Sequence, residues 1–243
     1  MYQEAIEKYL NQHGHEKINL KAVLFDMDGV LFNSMPNHAS SWHKVMERMG
    51  FGLSEEEAYM HEGRTGADTI NIISRRERGC DATDEEIKAI YAAKSEEFNK
   101  CPEAPRMPGA WEVLNKIKDD GLTRMIVTGS GQVSLLDRLN KNFPGIFQKE
   151  LMVTAFDIKF GKPNPDPYLM ALEKGGLKPN EAIVIENAPL GVQAGVAAGI
   201  FTIAVNTGPL PDEVLWDAGA NLLFHSMPEF NENWETVRNT LIG

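Results

Sequence analysis

Residues 21–31, KAVLFDMDGVL, constrain the fold of this chain more than any other stretch. The apolar run from Ala22 to Phe25 leads directly into two aspartates, Asp26 and Asp28, and Gly29 follows. An apolar run without alternation is typical of a strand buried on both faces. Because successive strand side chains point to opposite faces, Asp26 and Asp28 should share a face. Two carboxylates at one edge repel each other unless a cation lies between them, and hard oxygen ligands of this kind suit Mg²⁺.

The pattern of apolar residues divides the chain into three parts. Residues 1–19 carry Ile6 and Tyr9 at helical spacing with Gly14 as a stop, which predicts an N-terminal helical extension that packs on the core or on a partner. Residues 33–106 contain amphipathic helical stretches and no convincing strand, which predicts an inserted all-helical cap domain. Strands and helices alternate from residue 107 onwards, and this alternation is typical of a parallel sheet covered on both faces.

The predicted fold is therefore α/β, with a Rossmann-like, doubly wound parallel sheet as its core (20–32 and 107–243) and a small helical cap (33–106). In such sheets the active crevice lies beyond the carboxyl ends of the strands. Asp26, Thr128 and Glu186 all lie at predicted strand ends. The predicted strands are 22–25, 124–127, 151–154, 182–185, 201–205 and 221–224.

Two further stretches carry groups that bind anions. Thr128-Gly129-Ser130-Gly131 follows a strand, so its hydroxyls and backbone N–H groups can bind a phosphate, although Ser130 could equally cap a helix. Lys162 lies in GKPNPDPY, where alternating prolines stiffen the loop. A loop lysine is usually solvated, but this stiffening favours a fixed position near anionic groups.

The remaining candidates lie in the strand that ends at Glu186-Asn187 and in the helical insertion. An amide oxygen such as that of Asn187 can bind Mg²⁺ but contributes no charge. In the insertion the candidates are His38, Glu62, Arg64 and Lys94. A charged residue on such helices is usually solvated, so these four need independent support.

Composition excludes several classes of function. The chain has 35 acidic and 24 basic residues and a formal net charge of −11, which disfavours nonspecific binding of nucleic acid. The two cysteines, Cys80 and Cys101, form no CxxC motif, as expected for reduced thiols. No apolar run approaches the ~20 residues that span a membrane. We expect a soluble, cytoplasmic protein, monomeric or weakly dimeric, whose partner is a small phosphate compound.

A bare Asp-x-Asp more often opens a turn or a helix, but the longer string DMDGVL resembles the nucleophile motif of the haloacid dehalogenase-like (HAD) phosphatases. The later motifs follow in the order that this family has, and the chain is most similar to the β-phosphoglucomutase-like subgroup with a helical cap. The resemblance implies that Asp26 is the nucleophile and Asp28 the acid and base. It also implies that Thr128, with Gly129 and Ser130, binds the phosphoryl group, and that Lys162 steadies it.

Two positions bear on the substrate. In the sugar-mutase branch a cap arginine holds the distal phosphate, and the matching position here is Gly66. Glu62 together with Asn187 instead resembles the inorganic pyrophosphatase branch, in which a cap glutamate completes the metal site. His38 and Lys94 also match cap positions of that branch that bind substrate.

The resemblance thus implies a Mg²⁺ site formed by Asp26, Asp28, Asn187 and Glu62, with Glu186 orienting bound water. The favoured function is a Mg²⁺-dependent phosphohydrolase that works through a phosphoaspartate, with inorganic pyrophosphate as its preferred substrate. The alternatives are a β-phosphoglucomutase or a small phosphosugar or phosphoglycolate phosphatase. A noncatalytic phosphate-binding module is a third hypothesis, which the intact pair of Asp26 and Asp28 disfavours.

Overall fold

Strand β1 (Ala22–Phe25) lies inside a six-stranded parallel sheet of order β3-β2-β1-β4-β5-β6. The structure is a computed structural model that describes residues 2–130 and 135–243. The other strands are β2 (Thr123–Val127), β3 (Met152–Val153), β4 (Ala182–Glu186), β5 (Phe201–Val205) and β6 (Leu222–Phe224). From β1 the sheet extends through β2 to β3 on one side and through β4 and β5 to β6 on the other. This is the predicted doubly wound α/β fold, and its switch point lies between β1 and β4.

Helices cover both faces of the sheet because the strands have no polar face. Val23 and Phe25 belong to a large apolar core on one face, which α1, α6, α7 and α11 complete. Ala22 and Leu24 face a second core formed with α8 and α9. The flanking helices are α1 (Tyr2–His13), α6 (Ala110–Asp119), α7 (Leu135–Asn142), α8 (Asp166–Gly175), α9 (Pro189–Ala197), α10 (Asp212–Asp217) and α11 (Met227–Ile242).

The N-terminal helix α1 packs on the core. Packing on the core was one of the two predicted alternatives, and packing on a partner was the other. Ile6 and Tyr9 are buried in the larger core, and the Tyr2 hydroxyl donates to Asn233 Oδ1 at 3.0 Å. The helix ends at His13, and Gly14 follows with a φ of +66°, which only glycine adopts at low cost.

Four helices lie between β1 and α6 and form the predicted helical insertion. They are α2 (Met35–Arg48), α3 (Glu55–Met60), α4 (Gly66–Arg78) and α5 (Asp84–Asn99). They enclose an apolar core of their own, which includes Val45, Ile73 and Ile90. The two segments that connect the insertion to the core run side by side, since the Asn33 N–H donates to the Pro105 carbonyl at 3.0 Å. We keep 33–106 as the proposed boundaries of the cap domain, which we call the insertion below.

Strand β3 is shorter than predicted. It pairs with β2 only at Met152 and Val153, because Lys149–Leu151 form a 3₁₀ turn instead of extended chain. None of the helices in the described ranges is long and apolar enough to cross a membrane.

Candidate active site

The carboxyl ends of β1 and β2 face the insertion across a cleft of about 660 Å³, and the end of β4 lies beside it, where Asn187 contacts Glu62. This position, at the switch point of the sheet, is where the fold is expected to bind ligands. The predicted site residues that line the cleft are Asp26, Asp28, Thr128, Gly129 and Ser130 from the core and His38, Glu62, Arg64 and Lys94 from the insertion. The other three, Lys162, Glu186 and Asn187, are buried around it. The structure thus brings together every described residue that the sequence predicted.

Lys162 joins the two acidic strand ends. Its Nζ lies 2.5 Å from Asp26 Oδ1, 2.5 Å from Glu186 Oε1 and 3.0 Å from the carbonyl oxygen of Val127. Although burial disfavours its charge, Asp26 and Glu186 hold the pKa of Lys162 above its ordinary value. Burial raises the pKa of Asp26 to about 7, opposed by the Lys162 ammonium and assisted by Glu186. Asp26 is therefore a desolvated carboxylate with one fixed cationic neighbour.

Glu186 has a full set of hydrogen-bond donors inside the protein. Its Oε1 accepts from Lys162 Nζ and from the Tyr168 hydroxyl, which lies at 2.8 Å. Its Oε2 accepts the backbone N–H groups of Asn187 at 3.1 Å and Ala188 at 3.3 Å. The residue has no solvent-accessible surface. This arrangement differs from the predicted role of orienting metal-bound water, because both oxygens already serve the protein scaffold.

A chain of polar contacts links Asp28 to the insertion. Asp28 Oδ1 accepts from the Ser34 hydroxyl at 2.5 Å and lies 3.5 Å from His38 Nε2. His38 Nδ1 lies 2.7 Å from Lys94 Nζ, so Nδ1 is the acceptor and Nε2 carries the proton. Although burial opposes ionisation, His38 and Ser34 hold the pKa of Asp28 far below its ordinary value. Asp28 is thus an ionised carboxylate in this arrangement.

Lys94 is a buried cation in an aromatic pocket. Its Nζ lies 5.5 Å from the ring centroid of Trp42 and 4.9 Å from that of Phe98. The ring of His38 stacks on Phe98 at 4.2 Å. Burial lowers the pKa of Lys94 to about 8. Burial and the neighbouring ammonium also lower the pKa of His38, so the imidazole is neutral at pH 7.

Glu62 of the insertion contacts Asn187 of the core. The Asn187 side-chain amide donates to both oxygens of the Glu62 carboxylate, at 3.0 and 3.1 Å. Burial, then the charge of Asp26, raises the pKa of Glu62 well above its ordinary value. Asn187 Oδ1 is buried and has no hydrogen-bond partner among residues 2–130 and 135–243. A Cβ at Gly29 would lie 2.0 Å from Asn187 Nδ2, so only glycine leaves room for this amide.

These donors fit a hard divalent cation. The Asn187 Oδ1 atom lacks a hydrogen-bond partner among the described residues, and the carboxylates of Asp26, Asp28 and Glu62 line the same cleft. No group of three His, Cys, Asp or Glu side chains in the described part of the chain forms a ligand cluster by itself. A site here therefore needs the neutral amide oxygen of Asn187 and a backbone carbonyl in addition to carboxylates, which is a usual mixture for Mg²⁺ and Ca²⁺.

The loop between α3 and α4 packs tightly on the core. A Cβ at Gly63 would lie 3.1 Å from Lys162 Cδ, and one at Gly129 would lie 3.3 Å from the carbonyl oxygen of Gly63. Behind this loop, a Cβ at Gly66 would lie 2.2 Å from the ring of Tyr91. The Tyr91 ring thus occupies the space that a side chain at position 66 would need.

The predicted phosphate-binding loop leaves β2 in contact with this loop of the insertion. Thr128 is buried, and its Oγ1 accepts the Ser130 backbone N–H at 3.1 Å. That bond orients the Thr128 hydroxyl to donate elsewhere. Gly131 lies outside the described residues. Arg64 lines the cleft, and its Nε is buried without a partner among the described residues.

Sequence reasoning missed Ser34, Tyr91 and Tyr168. Tyr168 ends the GKPNPDPY stretch that drew attention to Lys162, so its proximity in sequence was a usable signal. Ser34 immediately precedes α2 and has the position of a helix cap, yet it makes no capping bond and instead donates to Asp28. Tyr91 shows no signal in the sequence, because its partner is the backbone of Gly66.

A buried aspartate at the switch point, paired with a lysine and facing anion-binding groups, defines a hydrolase that acts on phosphate compounds. The chain belongs to the haloacid dehalogenase-like hydrolases, whose family model matches residues 23–205. It is a phosphatase of this family, as predicted.

Two relatives and one solved structure are similar to this chain over most of its length. Hexitol phosphatase A of Escherichia coli (strain K12) is 34% identical over 188 residues, which cover 76% of this chain and 83% of the relative. The phosphorylated carbohydrates phosphatase of Thermotoga maritima is 29% identical over 203 residues, 83% of this chain and 92% of the relative. A solved structure from Bacteroides vulgatus, provisionally described as a beta-phosphoglucomutase, is 78% identical with a TM-score of 0.97 and covers 99% of this chain and 98% of its own. None of these three descriptions names pyrophosphate.

Proposed function

We propose that this protein is a Mg²⁺-dependent phosphohydrolase that forms a phosphoaspartate on Asp26 and prefers inorganic pyrophosphate. The contact between Glu62 and Asn187 carries the substrate assignment, because it places a carboxylate of the insertion at the end of the cleft where the metal is expected.

Mg²⁺ would be held by the carboxylate of Asp26, the backbone carbonyl of Asp28, Asn187 Oδ1 and Glu62. When bound, the ion supplies positive charge that offsets these carboxylates and the phosphoryl oxygens. In our proposal Glu186 does not bind the ion or its waters. It anchors Lys162, which agrees with its complete set of protein donors.

Asp26 is the nucleophile in the first step. One of its carboxylate oxygens bonds to phosphorus while the bond from phosphorus to the leaving oxygen breaks, and that oxygen departs with the electron pair. Lys162 holds the attacking carboxylate, and its positive charge offsets the charge that develops on the phosphoryl oxygens, since its three N–H groups already bond Asp26, Glu186 and the Val127 carbonyl. The Thr128 hydroxyl, oriented by the Ser130 N–H, donates to a second phosphoryl oxygen, and the Gly129 N–H supports the same group.

Asp28 acts in the second step. Water attacks the phosphorus of the acyl phosphate, Asp28 takes the proton from that water, and the bond between phosphorus and the Asp26 oxygen breaks. The contacts of Asp28 with Ser34 and His38 keep it ionised, so its carboxylate is free to accept a proton. They favour this base role over the predicted donation of a proton to the leaving oxygen. When pyrophosphate enters with a proton on the phosphate that leaves, that phosphate departs as its monoprotonated dianion, and the first step then balances without a proton from Asp28.

The insertion side of the cleft suits a second phosphate. Lys94 supplies a cation and His38 a hydrogen-bonding ring to the part of the substrate that leaves. The tight contacts of the loop at Gly63 leave little space above Lys162. Tyr91 fills the space beside Gly66, where the sugar-mutase branch has its arginine. A compact, fully anionic leaving group satisfies these groups better than a sugar does.

Hydrolysis of a sugar phosphate is the second candidate. The names of the two phosphatase relatives support it, and so does the volume of the cleft, about 660 Å³, which exceeds what pyrophosphate needs. Its apolar wall, with Trp42 and Phe98, would accept the carbon skeleton of a polyol.

A screen of phosphate release by the purified protein tests the two candidates. With Mg²⁺ present, we expect kcat/KM for pyrophosphate to exceed that for hexose phosphates, hexitol phosphates and phosphoglycolate by at least about tenfold, which is 1.4 kcal/mol of differential transition-state binding. A higher value for any sugar or polyol phosphate would overturn the pyrophosphate assignment, and isomerisation of β-glucose 1-phosphate faster than any hydrolysis would favour the mutase.

A further inference from the structure

Tyr168 is a buried tyrosine that the proposed chemistry does not use. It lies on α8 with no exposed surface, and its hydroxyl donates to Glu186 Oε1 at 2.8 Å. The same oxygen accepts from Lys162 Nζ at 2.5 Å, and that Nζ lies 5.2 Å from the centroid of the Tyr168 ring. Both the ring and the hydroxyl therefore contact the pair that holds the nucleophile.

The carboxylate of Glu186 is enclosed by its neighbours. A Cβ at Gly191 would lie 1.8 Å from Oε1, so the backbone of α9 closes one side of the group. The Asn187 N–H holds Oε2, and Tyr168 closes the side of Oε1. Because Lys162 Nζ is shared between Glu186 and Asp26, the strength with which Glu186 attracts the ammonium sets how much of its charge is available to Asp26.

We propose that Tyr168 is a positioning residue, which acts through Glu186 to keep the Lys162 ammonium balanced between Glu186 and the nucleophile Asp26. The Tyr168 hydroxyl takes up part of the negative charge on Oε1. Without it, Oε1 has the ammonium as its remaining strong donor and draws Lys162 away from Asp26 and from the phosphoryl group. This inference rests on the proposed roles of Asp26 and Lys162, and it does not depend on which leaving group the substrate carries.

Tyr168→Phe tests the proposal, because it removes one hydroxyl and keeps the ring. We expect kcat to fall roughly tenfold to a hundredfold, as for the loss of a hydrogen bond to a charged group, with KM changed less than about threefold. The loss should be the same for pyrophosphate and for p-nitrophenyl phosphate. A fall confined to one substrate, or a rise in KM with unchanged kcat, would contradict the proposal.

Tyr9→Phe is the matched control. Tyr9 is also buried, and its hydroxyl donates to the Gly199 carbonyl at 2.8 Å on the side of the core that carries α1. Each variant removes the hydroxyl of a buried tyrosine and one hydrogen bond, so thermal stability should fall in both, but Tyr9→Phe should keep the kcat of the parent protein. If the two variants lose kcat equally, the role of Tyr168 is structural only.

A double-mutant cycle with Glu186→Gln measures whether Tyr168 acts through Glu186. In the Glu186→Gln background, where the carboxylate charge is absent, Tyr168→Phe should lower kcat by about threefold or less. Additive losses would overturn the proposal. The single variants separate this inference from the proposed mechanism. If Asp26→Asn is inactive but Tyr168→Phe has the kcat of the parent protein, the inference is rejected and the phosphoaspartate mechanism stands. If Asp26→Asn is active, the mechanism itself is rejected.

Discussion

The side-chain amide of Asn187 donates to both carboxylate oxygens of Glu62, at 3.0 and 3.1 Å, and so joins the end of β4 to the loop between α3 and α4. Here Glu186 is turned inward to Lys162, Asn187 is neutral, and Glu62 brings a carboxylate from the insertion. A site that includes Glu62 is complete only while the insertion lies against the core, so metal binding and closure of the cleft are coupled in our proposal.

Asp26→Asn should abolish turnover. The amide keeps the shape of the side chain but cannot form the acyl phosphate, so kcat should fall by roughly 10⁴-fold or more, as for other catalytic groups that act as a unit. Release of inorganic phosphate from pyrophosphate, with circular dichroism as the control for folding, measures this. Turnover near that of the parent protein would exclude the covalent mechanism.

Asp28→Asn should stop the reaction at a different point. Asp26 and Lys162 remain in place, so the first step can proceed, but no base accepts the proton of the attacking water. We expect about one phosphate to be bound per protein molecule, detectable as a mass increase after an acid quench. Asp26→Asn/Asp28→Asn is the control and should show no increase. Rapid multiple turnover by Asp28→Asn would assign the base to another residue.

The fold was predictable because β1 and β4 are continuous apolar runs that end in polar residues. The strand ends then placed Asp26, Thr128 and Glu186 correctly at one edge of the sheet. The two-residue length of β3 was not predictable, because it depends on pairing with Val127 at an edge of the sheet.

The internal arrangement of the site depends on contacts that sequence distance hides. Lys162 and Asp26 are 136 positions apart, and Glu62 and Asn187 are 125 apart. The resemblance to the motifs of the family predicted that the members of both pairs belong to one site. It did not supply the inward orientation of Glu186, since that depends on the Tyr168 hydroxyl and on the absence of a side chain at Gly191.

Removal of divalent cations should abolish activity, and Ca²⁺ should not replace Mg²⁺. The larger and looser coordination shell of Ca²⁺ would displace the Asp26 carboxylate from the line of attack. We expect no phosphate release in excess chelator, full recovery with Mg²⁺, and a rise in melting temperature with Ca²⁺ without turnover. The Asn187→Ala variant should lose most of the thermal shift with either ion. Undiminished activity in chelator would refute the metal requirement.

Activity on pyrophosphate should decline as the pH rises through about 8. Burial lowers the pKa of Lys94 to about 8, so its ammonium is present below that pH and is lost above it. Because the leaving phosphate is anionic, kcat/KM should fall on the alkaline side. Lys94→Arg should extend the plateau to higher pH, since a guanidinium stays charged. An alkaline limb that is identical in the parent protein and in Lys94→Arg would show that another group controls it.

Glu62→Ala should change the preference of the protein for substrates as well as its rate. The substitution removes a proposed ligand of the metal and the contact with Asn187 that holds the insertion against the core. In our proposal pyrophosphate depends on the closed cleft, because its leaving phosphate would meet Lys94 and His38, which line the insertion side. Bulkier esters do not gain from closure, so their slow hydrolysis relies on Asp26 and the core alone.

We therefore expect Glu62→Ala to lower kcat/KM for pyrophosphate by roughly a hundredfold or more and that for p-nitrophenyl phosphate by less than about tenfold. Glu56→Ala is a suitable control, since Glu56 is an exposed residue of the neighbouring helix α3 and does not line the cleft. It should change neither value by more than about twofold. The ratio of the two losses in kcat/KM tests whether Glu62 selects a compact leaving group. Equal losses on both substrates would mean that Glu62 supports catalysis in general.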